Sequence, residues 1–120
     1  VNTIQLCHRY NVPVFPGALT PTDVMTGWEA GADLVKVFPC NAVGGASYIK
    51  SLKAPFPQVE LIPTGGVSLQ TAAGFIKAGS TALGVGADLV DLAALRAGQA
   101  QQITENARRY VEIVREARQS

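Results

Sequence analysis

Four short apolar runs rich in β-branched residues recur along the chain: Val12-Pro13-Val14-Phe15, Leu34 to Phe38, Val59 to Ile62 and Ala82 to Val85. Val12, Val35, Ile62 and Val85 mark them at steps of 23, 27 and 23 residues. Each run ends in Gly or Pro, and the segment after it has its apolar residues at helical spacing. The pattern predicts strand, loop and helix in succession. Thr20-Pro21 reads as an N-cap followed by proline at the first helical position. Gly44-Gly45 precedes the apolar positions Tyr48, Ile49 and Leu52. Ser68 is predicted to cap a helix running to about Ala78 and closed by Gly79. A last helix is predicted from about Gln101 to Arg118, with Ile103, Ala107, Tyr110, Val114 and Ala117 on one stripe. The opening segment, Val1 to Tyr10, is weakly helical through Ile4, Leu6 and Cys7.

A repeat of about 25 residues is also the mark of a solenoid. These units share no consensus, however, and fit successive βα units of a parallel sheet. Near-continuous apolar strands fit a sheet covered on both faces. The expected class is therefore α/β. Four strands make half of an eight-stranded barrel or a small open sheet. A barrel cut in half leaves two unpaired strand edges and an exposed apolar interior.

Length and composition narrow the picture. The 120 residues make one domain at most. With 48% hydrophobic and 16% charged residues the chain has a globular composition, and a net charge of +1 argues against nucleic acid or an acidic membrane as partner. Arg108, Arg109, Arg115 and Arg118 alternate with Glu105, Glu112 and Glu116, as on a solvated helix face. Two distant cysteines, Cys7 and Cys40, point to a reduced, cytoplasmic setting rather than a disulfide framework. Neither an N-terminal signal nor a membrane-length apolar run is visible. The chain opens on Val1 within a helical pattern, as a processed or truncated product would.

The candidate chemistry centres on Lys36. It lies in Ala32-Asp33-Leu34-Val35-Lys36-Val37-Phe38-Pro39, where a lone ammonium costs free energy unless it is paired, neutralised or used. Strand alternation puts Leu34, Lys36 and Phe38 on one face and Val35 and Val37 on the other. If the valines pack on helices, Lys36 points into a barrel. Desolvation there would favour the neutral amine, which attacks a carbonyl to form a Schiff base. The plainer reading is an edge-strand lysine that discourages aggregation. Pro63-Thr64-Gly65-Gly66-Val67-Ser68 and Gly84-Val85-Gly86-Ala87 are two consecutive glycine-rich strand ends, the arrangement a barrel phosphate site uses. Plain turn chemistry also accounts for each. His8 and Cys40 read as surface or packing residues, and Met25, Trp28 and Tyr48 as interhelical filling. Asp23, Glu29, Asp33, Glu60 and Asp88 form no evident carboxylate pair, and no metal-ligand spacing occurs.

Taken in order, Val14-Phe15-Pro16-Gly17, Val35-Lys36-Val37-Phe38-Pro39, Gly44-Gly45, Pro55-Phe56-Pro57, Ile62-Pro63-Thr64-Gly65-Gly66-Val67 and Gly84-Val85-Gly86-Ala87-Asp88-Leu89-Val90 resemble the 2-keto-3-deoxy-6-phosphogluconate / 4-hydroxy-2-oxoglutarate aldolase family over nearly the whole chain. The resemblance implies a (β/α)8 TIM barrel, with residues 1–120 forming the C-terminal half of its single domain: the helix after strand four, then strands five to eight. It implies Lys36 as the Schiff-base lysine, Thr64 beside the bound pyruvyl group, and Phe38 and Pro39 as the wall next to the lysine. Gly65, Gly66, Gly86 and Ala87 align with the phosphate-binding segment. Ala87 stands where some members carry a serine, and Asn41 where some carry an acidic residue nearby. The loss of that hydroxyl favours the smaller 4-hydroxy-2-oxoglutarate over a phosphorylated substrate.

The implied activity is that of a cytoplasmic class I aldolase, a lyase of carbohydrate metabolism (Entner-Doudoroff route), usually homotrimeric. Its partners are a keto sugar acid and pyruvate, and it uses no cofactor or metal because the protonated imine replaces a Lewis acid. The family's general acid/base glutamate and carboxylate-binding arginine belong to the other half of the barrel, so the isolated chain is expected to be inactive. The alternative is a non-catalytic phosphate-binding half-barrel or assembly module.

Overall fold

A computed structural model describes residues 1–120. In chain order the elements are α1 (Asn2–Arg9), β1 (Gly17–Ala18), α2 (Pro21–Glu29), β2 (Val35–Val37), a 3-10 turn (Cys40–Val43), α3 (Ala46–Lys53), β3 (Leu61–Pro63), α4 (Ala72–Lys77), α5 (Leu92–Arg96) and α6 (Ala100–Gln119). The three strands form one parallel sheet in the order β1-β2-β3. A parallel bridge between Thr64 and Gly84 adds the fourth run at the β3 edge. The chain is thus α/β, as its pattern predicts.

Two strands differ from expectation, for reasons that lie in their residues. The first ladder forms at Gly17–Ala18, not over Val12 to Phe15. Pro13 and Pro16 have no N–H to give a ladder. That stretch contributes carbonyls instead: Asp33 N–H donates to Val14 O at 3.1 Å and Lys36 N–H to Pro16 O at 2.8 Å. Gly17, expected in a turn, is extended sheet. The fourth run shrinks to one bridge, because Gly84 and Gly86 interrupt it and glycine weakens strand pairing.

The helices follow their signals more closely. Thr20 caps α2 in a full capping box: its side chain accepts from Asp23 N–H, and Asp23 accepts from the Thr20 N–H at 2.9 Å. Bonds to Asp23 from the Thr20 backbone, the Thr20 side chain and the Leu19 backbone hold its carboxyl below the ordinary value of 3.8. A carboxyl so depressed adds stability above the ordinary value and loses it as pH falls through the lowered one. The melting temperature is therefore expected to fall on acidification below 3.8, and Asp23→Asn is expected to lose that part of the fall.

Ser68 does not cap α4 directly. Its hydroxyl accepts from Thr71 N–H and its carbonyl from Ala72 N–H, making a turn before the helix begins at Ala72. Gly79, at φ +109°, closes the far end as expected. On α6, Tyr110 and Ala117 are buried and Ile103 and Val114 half-buried, so the predicted stripe faces inward, with α4 its main helical neighbour.

The core lies on one side of the sheet. Ala18, Val35, Val37 and Leu61 point into it and meet Val24, Ile49, Leu52, Val59, Val67 and Phe75. Met25, Trp28 and Tyr48 pack at its margin, as read from the sequence. The other face, with Gly17, Lys36, Phe38, Ile62 and Thr64, carries no layer of its own. The expectation of a sheet covered on both faces is therefore met on one face only. The radius of gyration, 15.4 Å, exceeds the value of about 14 Å for a compact domain of this length, as an open curved layer would. No helix is long and apolar enough to cross a membrane.

Candidate active site

The central strand β2 fixes the geometry. Val35 and Val37 are fully buried, so alternation turns Lys36 to the uncovered face. In register, Lys36 lies between Gly17 on β1 and Ile62 on β3. The lysine is half-buried. Its Nζ lies 5.2 Å from the centroid of the Phe38 ring, two residues along the same face. Such a contact stabilises a cation modestly. No carboxylate lies within 4.0 Å of the amine; the chain's one ion pair joins Glu105 and Arg108. The other well-anchored lysine, Lys53, differs in kind: its Nζ donates to Pro57 O and Val59 O at 2.9 and 2.8 Å.

Gly17 was not singled out as a site residue in the sequence. A side chain built there would meet nothing within 4 Å, so its absence leaves open space beside Lys36. The available signal was a small residue three positions before the helix cap Thr20.

Beyond β2, Phe38 and a cis Pro39 lead into the 3-10 turn. Phe38 is exposed and Pro39 half-buried. The segment folds back over the end of β3, where Cys40 N–H donates to Thr64 O at 2.9 Å. Cys40 is fully buried, and burial pushes its thiol up; it packs, as expected. Tyr48 on α3 donates its hydroxyl to Leu19 O at 2.6 Å and ties down the loop after β1. Burial first, then the Cys40 and Asp23 charges, push the Tyr48 phenol up.

The two glycine turns sit side by side because Thr64 and Gly84 are bridge partners. Gly65 and Gly66 have φ of +93° and +72°. Their open faces are filled from within the chain: an added Cβ would come 2.8 Å from Asn41 Oδ1 at Gly65 and 2.5 Å from Asn41 Cβ at Gly66. Close approach of the 39–41 segment therefore accounts for both glycines as turn residues. The helix expected to open directly on this turn begins six residues later and has six residues, so its N-terminus adds no anion-binding field to the turn. The N–H groups of Gly66, Gly86 and Ala87 are among those in the two turns that donate to no acceptor in the protein. Gly66→Ala is expected to cost about 1–3 kcal/mol through positive φ and the Asn41 contact, read as a lower urea midpoint.

His8 lies apart on α1 with its ring over Gly31, in agreement with a packing role. No cluster of three or more His, Cys, Asp and Glu side chains occurs. An apolar cleft runs between the fourth run and α6, lined by Leu83, Val85, Tyr110 and Val114, away from Lys36. An open face encloses little volume, which is why Lys36 lines no large cavity.

Residues 2–106 match the family model described as KDPG and KHG aldolase. The chain belongs to the KDPG and KHG aldolase family. The 2-dehydro-3-deoxy-6-phosphogalactonate aldolase of Escherichia coli (strain K12) is 40% identical over 110 residues, 90% of this chain and 51% of that protein. A solved native KDPGal structure superposes with a TM-score of 0.85 at 37% identity, over 98% of this chain and 55% of the other. KDPG aldolase from Legionella pneumophila, with pyruvate captured at low pH as a covalent carbinolamine intermediate, superposes at 0.76 and 27% identity, over 85% and 50%. The chain spans about half the length of the curated relatives it matches. KDPG and KHG aldolases are lyases, and a parallel sheet backed by helices is the fold this chain shares with them.

Proposed function

We propose that residues 1–120 form the C-terminal half of a class I aldolase barrel, strands five to eight with their helices, and that Lys36 is its Schiff-base nucleophile. The observation that carries this reading is an amine on the uncovered face of the central strand, free of any ion pair, in a chain of aldolase lineage. A relative that holds pyruvate as a covalent carbinolamine supports the same chemistry.

The neutral Lys36 Nζ adds to the C2 carbonyl of a 2-keto-3-deoxy acid and gives a carbinolamine. Loss of water leaves an iminium. The C3–C4 bond then breaks, its electron pair entering the iminium to form an enamine, while the C4 hydroxyl gives up its proton and C4 leaves as the aldehyde carbon. Protonation at C3 and hydrolysis release pyruvate and restore the amine. Phe38 and Pro39 wall the pyruvyl end, and Thr64 offers a hydroxyl there. In this reading the free N–H groups of Gly66, Gly86 and Ala87, with Gly65 shaping the turn, hold the substrate phosphate.

The substrates are 2-keto-3-deoxy-6-phosphogluconate, giving glyceraldehyde 3-phosphate, and/or 4-hydroxy-2-oxoglutarate, giving glyoxylate. The completed enzyme is a cytoplasmic homotrimer of the Entner-Doudoroff route. Proton transfer falls to a glutamate of the other half-barrel, so the isolated chain turns over little or no substrate.

The uncovered sheet face and the apolar cleft at the open edge also favour a second reading, a non-catalytic phosphate-binding or assembly module completed by another half-barrel. Borohydride reduction in the presence of pyruvate separates the two. In the completed barrel the aldolase reading expects a stable carboxyethyl adduct, one per chain, by intact mass. A completed barrel left unmodified under conditions that trap a known class I aldolase would leave only the module.

A further inference from the structure

Gly84 is a glycine whose backbone does not require one. It is absent from the chain's positive-φ glycines. Space, not conformation, excludes a side chain. A Cβ built on Gly84 would overlap Thr64 Oγ1, and would also lie 3.2 Å from Thr64 Cβ and 3.3 Å from Pro63 O. At the neighbouring Gly86 the same Cβ would meet nothing within 4 Å. Gly84 is also fixed in place, bridged to Thr64 with its N–H donating to Pro63 O at 2.9 Å. The Thr64 side chain thus lies across the Cα of its bridge partner. Thr64 is half-buried on the Lys36 face of the sheet.

We infer that Gly84 is a positioning residue that admits the Thr64 hydroxyl, leaving free the rotamer in which it meets an oxygen of the bound keto acid. The inference rests on the reading of Thr64 as a substrate-contacting residue. The physical basis is simple. Threonine has few χ1 states in extended backbone, and an alanine at position 84 removes the one observed. The hydroxyl must then rotate away or the edge strand must move. A hydroxyl displaced by about an ångström loses much of its value for orienting a substrate.

The test compares Gly84→Ala, Thr64→Ala, Thr64→Val and the two double variants, by thermal melting and by the rate of pyruvate trapping at Lys36. Gly84→Ala is expected to lower the melting temperature by on the order of 5 °C. Thr64→Ala in the same chain is expected to recover most of that loss, because it removes the overlapping atom. Thr64→Val is expected not to, because a methyl group takes the place of Oγ1. Trapping is expected to slow about tenfold in Gly84→Ala and to stay slow in the Thr64→Ala double variant although its melting temperature recovers. Against Thr64→Ala alone the double variant is expected to show no further slowing, whereas a purely structural role for Gly84 would slow trapping with or without the hydroxyl. A melting loss in Gly84→Ala that is the same with and without the Thr64 side chain, or wild-type trapping in Gly84→Ala, overturns the inference. If the unmutated completed barrel traps no pyruvate, the aldolase reading fails by itself, and the melting cycle still decides whether Gly84 admits the hydroxyl.

Discussion

Lys36→Met is expected to abolish the pyruvate adduct and, in a completed barrel, to lower aldol cleavage by on the order of 10⁴-fold or more, while the fold persists. The magnitude follows from covalent catalysis, where removing the nucleophile removes the route rather than weakening it. Methionine keeps an unbranched stem of similar length on the strand. The persistence of the fold follows from what Lys36 does not do: it makes no ion pair, and its contact with the Phe38 ring is a modest one. Far-ultraviolet circular dichroism and the melting temperature report the fold, and trapping with borohydride reports the chemistry. An unaltered adduct yield in Lys36→Met would move the nucleophile elsewhere.

Phe75→Ala is expected to be the most damaging single truncation for stability, at about 3–5 kcal/mol. Phe75 is 2% exposed and is among the largest fully buried side chains of the core. It joins α4 to the cluster formed by β2, β3 and α3, with its ring tip beneath Gly45, where an added Cβ would lie 3.8 Å from Phe75 Cζ. Only one face of the sheet is packed, so the core has little redundancy to absorb a cavity. A loss of that size is a large share of the about 5–15 kcal/mol that holds a domain together. Urea unfolding followed by circular dichroism measures it. A midpoint within error of the parent would show that α4 contributes little to the core.

The central strand and its helices were legible because their signals are local. Val35 and Val37 bracket Lys36 with unambiguous alternation, and Thr20-Pro21 is a self-contained cap signal, to which the structure adds Asp23. The α6 stripe is long enough for its period to be plain. What the sequence did not disclose depends on partners distant in the chain. Pro13 and Pro16 moved the first ladder to Gly17–Ala18, since apolar content says nothing about which N–H groups are available. Ser68 looked like a helix cap, but its bonds to Thr71 and Ala72 close a separate turn. At the site, Lys36 and the two glycine turns were visible as motifs. The filling of Gly65 and Gly66 by Asn41, the open space at Gly17 and the demand of Thr64 on Gly84 are three-dimensional facts with no pattern in one sequence. The uncovered sheet face was foreseeable only as the consequence of counting four strands.

The central claim is that Lys36, and no other amine, attacks the keto acid. Peptide mapping by mass spectrometry after borohydride reduction with pyruvate tests it most directly. The chain offers Lys50, Lys53, Lys77 and the Val1 amine as internal competitors. Lys50 and Lys77 are exposed on helices, and Lys53 is held by two carbonyls. The expected result is a carboxyethyl group on the peptide containing Lys36, with the competitors at background. A modification spread over the exposed lysines and the N-terminus, with Lys36 no more reactive than they are, would contradict the claim.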